Sequence, residues 1–161
     1  MKRFLTAIVL ALLTTAAWAQ LPKLMLKNIE GKDVPVQSLM AEGKPIVISF
    51  FATWCKPCLR ELNAIHEVYE EWQEETGVKL VAVSIDEGAN TLKVKPLAKS
   101  LEWNYEVLLD PNSDLKRALQ VGLVPTVIVV NGKGEITYRH SGYTEGGETE
   151  ILEQVRKTLA Q

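Results

Sequence analysis

Cys55 and Cys58 are the only cysteines of the chain and stand in the run Trp54-Cys55-Lys56-Pro57-Cys58. Two cysteines this close make a poor structural staple, because a bridge between them closes almost no loop of chain. The spacing fits a pair that passes between dithiol and disulfide. Such a pair needs one thiol that ionises readily and a second that can displace whatever the first has bound. A helix N-terminus provides for the first, since its free N–H groups and partial positive charge favour a thiolate. Cys55 is therefore expected to be the exposed nucleophile, with the Lys56 charge beside it. Cys58, one turn further on, is expected to be the more buried resolving thiol. Pro57 suits a first helical turn, where its missing N–H costs nothing.

The elements on either side supply that position. Ile46 to Ala52 is a continuous apolar run of strand length, as in a strand buried on both faces. From Cys55 to about Thr76 the pattern is helical, and Gly77 supplies a stop. At about 100° per residue, Cys58, Leu62, Ile65, Tyr69 and Trp72 fall within one apolar stripe about 80° wide. Glu61 lies at its edge, roughly 60° from Cys58, whereas Glu67, Glu70, Glu71, Glu74 and Glu75 all lie at least about 100° away. Those five read as a solvated face. Glu61, three residues after Cys58, is within side-chain reach of it. A half-buried carboxylate there could shuttle the resolving thiol's proton, and a surface glutamate passing the rim is the equal alternative.

Along the rest of the chain, Leu24 to Asn28 and Lys32 to Val36 read as a hairpin around Glu30-Gly31. Val78 to Ile85 is a second buried strand. A helix is expected within Thr91 to Leu101 with Pro96 near its first turn, because a mid-helix proline costs about 3 kcal/mol. Tyr105 to Leu109 reads as a short strand, Asp110 to Ser113 as a turn and Asp114 to Gln120 as a short helix. Thr126 to Val130 and Glu135 to His140 form a hairpin across Asn131-Gly132-Lys133-Gly134, and Gly147 to Leu159 closes the chain as a helix. Strands alternating with helices and ending in a hairpin plus helix imply an α/β fold, a mixed sheet covered on both faces.

At 161 residues, 47% hydrophobic and 24% charged, the chain has the length and composition of one globular domain. Lys2 and Arg3, the apolar run Phe4 to Leu13 and Ala17-Trp18-Ala19 match the three parts of a signal peptide. Residues 1–19 are thus expected to be removed and residues 20–161 to form the domain. Of 18 basic residues, removing Lys2 and Arg3 leaves 16 against 20 acidic ones, a net charge of −4. That balance argues against a nucleic-acid or anionic-membrane role. Export also places the thiols in an oxidising compartment.

These residues together resemble the thioredoxin superfamily, and within it the TlpA/ResA-type exported thiol–disulfide oxidoreductases. The likeness covers essentially the whole mature chain. It is carried by Ser49-Phe50-Phe51-Ala52-Thr53-Trp54-Cys55-Lys56-Pro57-Cys58, by Ala82-Val83-Ser84-Ile85-Asp86 and by Val124-Pro125-Thr126. Read alone, Pro125 is an ordinary strand-entry proline. The resemblance makes it a cis-proline facing the two cysteines, with the Val124 backbone pairing with an incoming peptide. It places Glu61 on an acidic position used near the active site, and makes Glu87 to Tyr105 a central helix-and-strand insertion. Thioredoxins proper carry a buried Asp six residues before the first cysteine. Ser49 stands there and cannot carry a proton in its place, which leaves Glu61 as the candidate.

The resemblance implies a thiol–disulfide oxidoreductase acting on exported proteins, apocytochromes or misbridged secreted proteins among them, in the periplasm or an equivalent space. It would work as a reductase recharged by a membrane thiol donor, without metal or organic cofactor, and as a monomer by default. An oxidant would use the same residues and differ only in potential. A copper-binding protein of the same superfamily would add a histidine to the two thiolates, and His140 is the candidate third ligand. The positions of His66 and His140 do not match finger spacing for zinc. Leu59 stands where covalent haem attachment needs histidine. A peroxiredoxin pattern wants Thr or Ser where Ala52 stands. Trp72, Trp103, Tyr69 and Tyr105 read as packing residues, as does His66. Trp54, beside Cys55, is expected to cap the active-site surface and to report its redox state by fluorescence.

Overall fold

The computed structural model describes residues 20–40 and 42–160, and the expected signal segment lies outside them. Among the described residues there are seven strands: β1 (Met25–Asn28), β2 (Asp33–Pro35), β3 (Ile46–Phe51), β4 (Lys79–Ser84), β5 (Glu106–Leu109), β6 (Thr126–Val130) and β7 (Ile136–Ser141). The helices are α1 (Lys56–Thr76), α2 (Thr91–Ser100), α3 (Asp114–Ala118) and α4 (Gly147–Leu159), with short 3-10 turns at Val36–Met40 and Gly88–Asn90. The strands form one sheet in the order β2-β1-β5-β4-β3-β6-β7. β3 runs parallel to β4 and antiparallel to β6, so the sheet is mixed as expected. The leading hairpin joins it through β1 and β5.

The two faces follow from strand alternation. Val47 and Phe51 of β3, Leu80 and Ala82 of β4, and Val127 and Val129 of β6 pack beneath α1, α2 and α4. Ile46, Ile48 and Phe50, Val81 and Val83, and Ile128 and Val130 face the other way, toward α3 and the Val36–Met40 turn. Every residue of β3 is buried, which explains a run that is apolar at all positions but one. The run has one polar member. Ser49 falls on the same face as Val47 and Phe51, under α1.

α1 keeps its apolar stripe, burying Cys58, Leu62, Ile65, Tyr69 and Trp72, and Glu61 is buried with them. Gly77 ends it with φ 67°, a left-handed conformation glycine adopts without Cβ strain, and its N–H bonds to the Gln73 carbonyl. In the β6–β7 loop, a Cβ on Gly132 would stand 2.1 Å from the Gly43 carbonyl oxygen, so only glycine fits.

Two expectations need correction. Pro96 is not in the first turn of α2 but inside the helix, its sixth residue. Pro96 has no N–H to give the Leu92 carbonyl one turn back, while Val94 and Ala98 anchor the helix in the core. Tertiary burial outweighs the local penalty. The segment from Glu87 to Tyr105 carries α2 and, among the described residues, no strand; β5 begins at Glu106 and lies between β4 and β1.

Candidate functional site

The redox pair sits where β3 hands over to α1. Phe51 is the last residue of β3, and four residues later Cys55 is the N-cap of α1, with extended backbone angles. Its sulfur accepts the N–H of Cys58 at 3.3 Å, satisfying one of the donors that a helix start leaves free. Pro57 occupies the first turn, as expected. Cys55 and Cys58 form a disulfide with Cα atoms 5.3 Å apart. Cys55, expected to be exposed, is only 7% exposed because it caps α1 against the core, and Cys58 is wholly buried, so what little surface the pair offers belongs to Cys55.

Glu61, one turn beyond Cys58, is 2% exposed. Its Oε1 accepts the Ser49 hydroxyl at 2.9 Å, a bond between the helix and the strand beneath it. Burial pushes the carboxyl from its ordinary 4.5 up to about 7, against the opposing pull of that hydrogen bond. Glu61 is therefore the buried member of the pair of readings left open by its spacing. It is half-ionised near neutral pH, the condition for both accepting and returning a proton.

A second buried carboxylate holds the loop and was not singled out from the sequence. Asp86, just past β4, accepts the Thr53 N–H at 2.8 Å and the Thr53 hydroxyl at 2.7 Å. It also accepts the Ser84 hydroxyl at 2.8 Å. Thr53 lies two residues before Cys55, so Asp86 moors the Cys55 loop to the end of β4. Phe51 pairs with Ser84 in register, which brings the two strand ends side by side. The signal was an Asp directly after a buried strand, with hydroxyl residues at both strand ends.

The Val124–Pro125 peptide is cis. Thr126 pairs with Phe50, and the strands are antiparallel, so the Val124-Pro125 turn enters β6 at the sheet end from which β3 delivers the cysteines. Val124 packs against both faces of the core. Trp54 is 64% exposed and walls a groove of about 510 Å³ with Thr53, Asn90, Lys93, Pro96 and Leu97. Trp103 donates to Asn63 Oδ1 at 3.0 Å, sets its ring edge-on to Phe51 and stacks on Tyr105, bracing the other side of α1. His66 is half-buried on α1 against Tyr105. His140, the copper candidate, is exposed on β7, stacked on Tyr138 and in register with Val127.

A cysteine pair at a strand-to-helix junction, a cis-proline turn at the same sheet end and helices on both faces of a mixed sheet define a thioredoxin-like protein. Comparison with known proteins agrees: the chain belongs to the AhpC/TSA family, whose model matches residues 18–139. A thioredoxin-like protein from Porphyromonas gingivalis is 62% identical, with TM-score 0.77 over 89% of this chain and 94% of that one. StoA from Bacillus subtilis is 26% identical, with TM-score 0.67 over 84% of this chain and 98% of its own. The thiol-disulfide oxidoreductase ResA of Halalkalibacterium halodurans is 29% identical over 141 residues, 87% of this chain and 77% of the relative.

Proposed function

We propose that this protein is a reductase of disulfides in exported polypeptides, recharged by a membrane thiol donor. Its relatives and its Cys55–Cys58 pair make it a thiol–disulfide oxidoreductase. The graded burial of the pair above a carboxyl raised to about 7 supports the exchange chemistry, and the resemblance to exported TlpA/ResA-type proteins supports the reducing direction.

In the reducing direction the Cys55 thiolate attacks one sulfur of the partner's disulfide. That S–S bond breaks, a Cys55–partner bond forms, and the other partner sulfur leaves as a thiolate. Cys58 gives its proton to Glu61 and attacks the Cys55 sulfur, breaking the Cys55–partner bond, releasing the second partner sulfur as a thiolate that takes its proton from water, and leaving Cys55–Cys58 oxidised. A buried thiol resists ionisation, which is why this step needs a base at hand. Two electrons pass to the partner, and a dithiol donor restores them by the reverse sequence, with Glu61 returning the proton. Trp54 and the Val124-Pro125 turn flank Cys55 as surfaces for the partner chain. Residues 1–19 support export by their charged, apolar and small-residue pattern.

The test is equilibration of residues 20–161 in graded dithiol buffers, followed by Trp54 fluorescence. A reversible two-electron transition below about −200 mV is expected, whereas one near −120 mV would mark an oxidant. Absence of any reversible transition would remove the oxidoreductase reading.

A further inference from the structure

α2 carries Lys93, Lys95 and Lys99 and no acidic residue from Thr91 to Ser100, in a domain whose net charge is negative. Lys56 adds a fourth cation next to Cys55. Lys56, Lys93 and Lys99 are exposed and, among the described residues, make no ion pair. Lys95 has a long contact of 3.9 Å with Glu30. Glu87 and Glu102 flank the helix in sequence but stand outside it.

These charges surround apolar surface. Lys93 lines the groove walled by Trp54, Pro96 and Leu97. Pro96 also lines a second groove of about 530 Å³ on the far side of α2, where Ile29, Leu92 and Leu109 meet the stems of Lys95 and Lys99. Trp54, 64% exposed, is a large apolar side chain left open next to Cys55, and Leu92, 79% exposed, is another at the second groove. Isolated surface lysines contribute little to folding and need no partner. Lys93 on the Trp54 side of α2, Lys95 and Lys99 on the other side and Lys56 beside Cys55 give this part of a net-negative domain a local positive field that draws and orients anionic ligands.

We propose that the Trp54 groove and the α2 ridge dock an acidic segment of the partner polypeptide. An apolar side chain of that segment seats against Trp54 and Pro96, and its carboxylates lie over Lys56, Lys93 and Lys99. The partner cysteine beside the segment is thereby delivered to Cys55. This names the substrate class of the site and rests on the oxidoreductase reading above.

The test uses the reduced protein and peptides of one sequence holding a single internal disulfide, flanked by glutamates in one peptide and glutamines in the other. Stopped-flow fluorescence follows oxidation of the protein. At low ionic strength the acidic peptide is expected to react about tenfold faster, the advantage shrinking as salt screens it. In Lys93→Glu/Lys99→Glu, and more mildly in Lys93→Gln/Lys99→Gln, the ratio of the two rates should fall to about one or invert. Equal rates for the two peptides in the unmutated protein would overturn the docking proposal, as would a ratio unmoved by either variant. Failure of the protein to reduce the small neutral hydroxyethyl disulfide would overturn the oxidoreductase reading itself, and the proposal with it.

Discussion

The Ser49 hydroxyl donates to Glu61 Oε1 across 2.9 Å, from a strand residue and a helix residue that are both buried. Twelve positions separate them in the chain, and the α1-facing row of β3 brings them together. Ser49 thus has a part that its inability to carry a proton does not exclude: it steadies the charged form of the residue that can. Ser49→Ala removes a hydrogen bond worth about 1 kcal/mol and should raise the Glu61 pKa, moving the inflection of the exchange-rate pH profile up by about half to one pH unit. An unmoved inflection would show that Ser49 only fills space.

Glu61 also leaves a signature on stability. Its folded-state pKa of about 7 lies above the ordinary 4.5, so between those values the folded protein binds more protons than the unfolded chain. Stability therefore falls as pH rises through that window, by about 3 kcal/mol in all. Glu61→Gln should abolish that slope and be more stable than the unmutated protein at alkaline pH, as urea unfolding across the range would reveal. The same variant should resolve mixed disulfides about a hundredfold more slowly. An unaltered slope would place the carboxyl in water.

The two sulfurs should be distinguishable by trapping. Cys58→Ser should accumulate a covalent adduct between Cys55 and a disulfide peptide, visible as added mass. Cys55→Ser should form none on the same timescale, because Cys58 has no exposed surface. Equal adducts in both would contradict the assignment of roles.

Asp86 is the anchor of the redox loop. Asp86→Ala leaves the Thr53 N–H without an acceptor and should cost about 2–3 kcal/mol in denaturant unfolding, with Asp86→Asn costing less because it keeps one oxygen. A loop freed in this way should also blunt the change of Trp54 fluorescence between oxidised and reduced forms. Full stability and full fluorescence change in Asp86→Ala would show that the loop holds itself.

What was legible in the sequence was whatever depends on near neighbours. Ile46–Phe51 announced a doubly buried strand by a run apolar at all positions but Ser49, and the helical period of α1 separated Glu61 from the five glutamates on its wet side. Pro96 misled because its local penalty was weighed without the burial of Val94 and Ala98. Asp86 was assigned no role because its importance lies in Thr53, 33 residues away, and becomes visible only when Phe51 and Ser84 are paired in register. Residues that act through a distant partner look, one at a time, like ordinary turn residues.

β3, from which the cysteines hang, lies inside the sheet with strands on both edges and helices over both faces. Segments so enclosed exchange their amide hydrogens only when the whole molecule opens, whereas the β1–β2 hairpin at the sheet margin can detach at lower cost. Proteolytic wear should therefore begin at the margin and proceed inward. A chain nicked in the hairpin would keep its dithiol aligned, and loss of redox turnover would mark global unfolding, the last stage of decay.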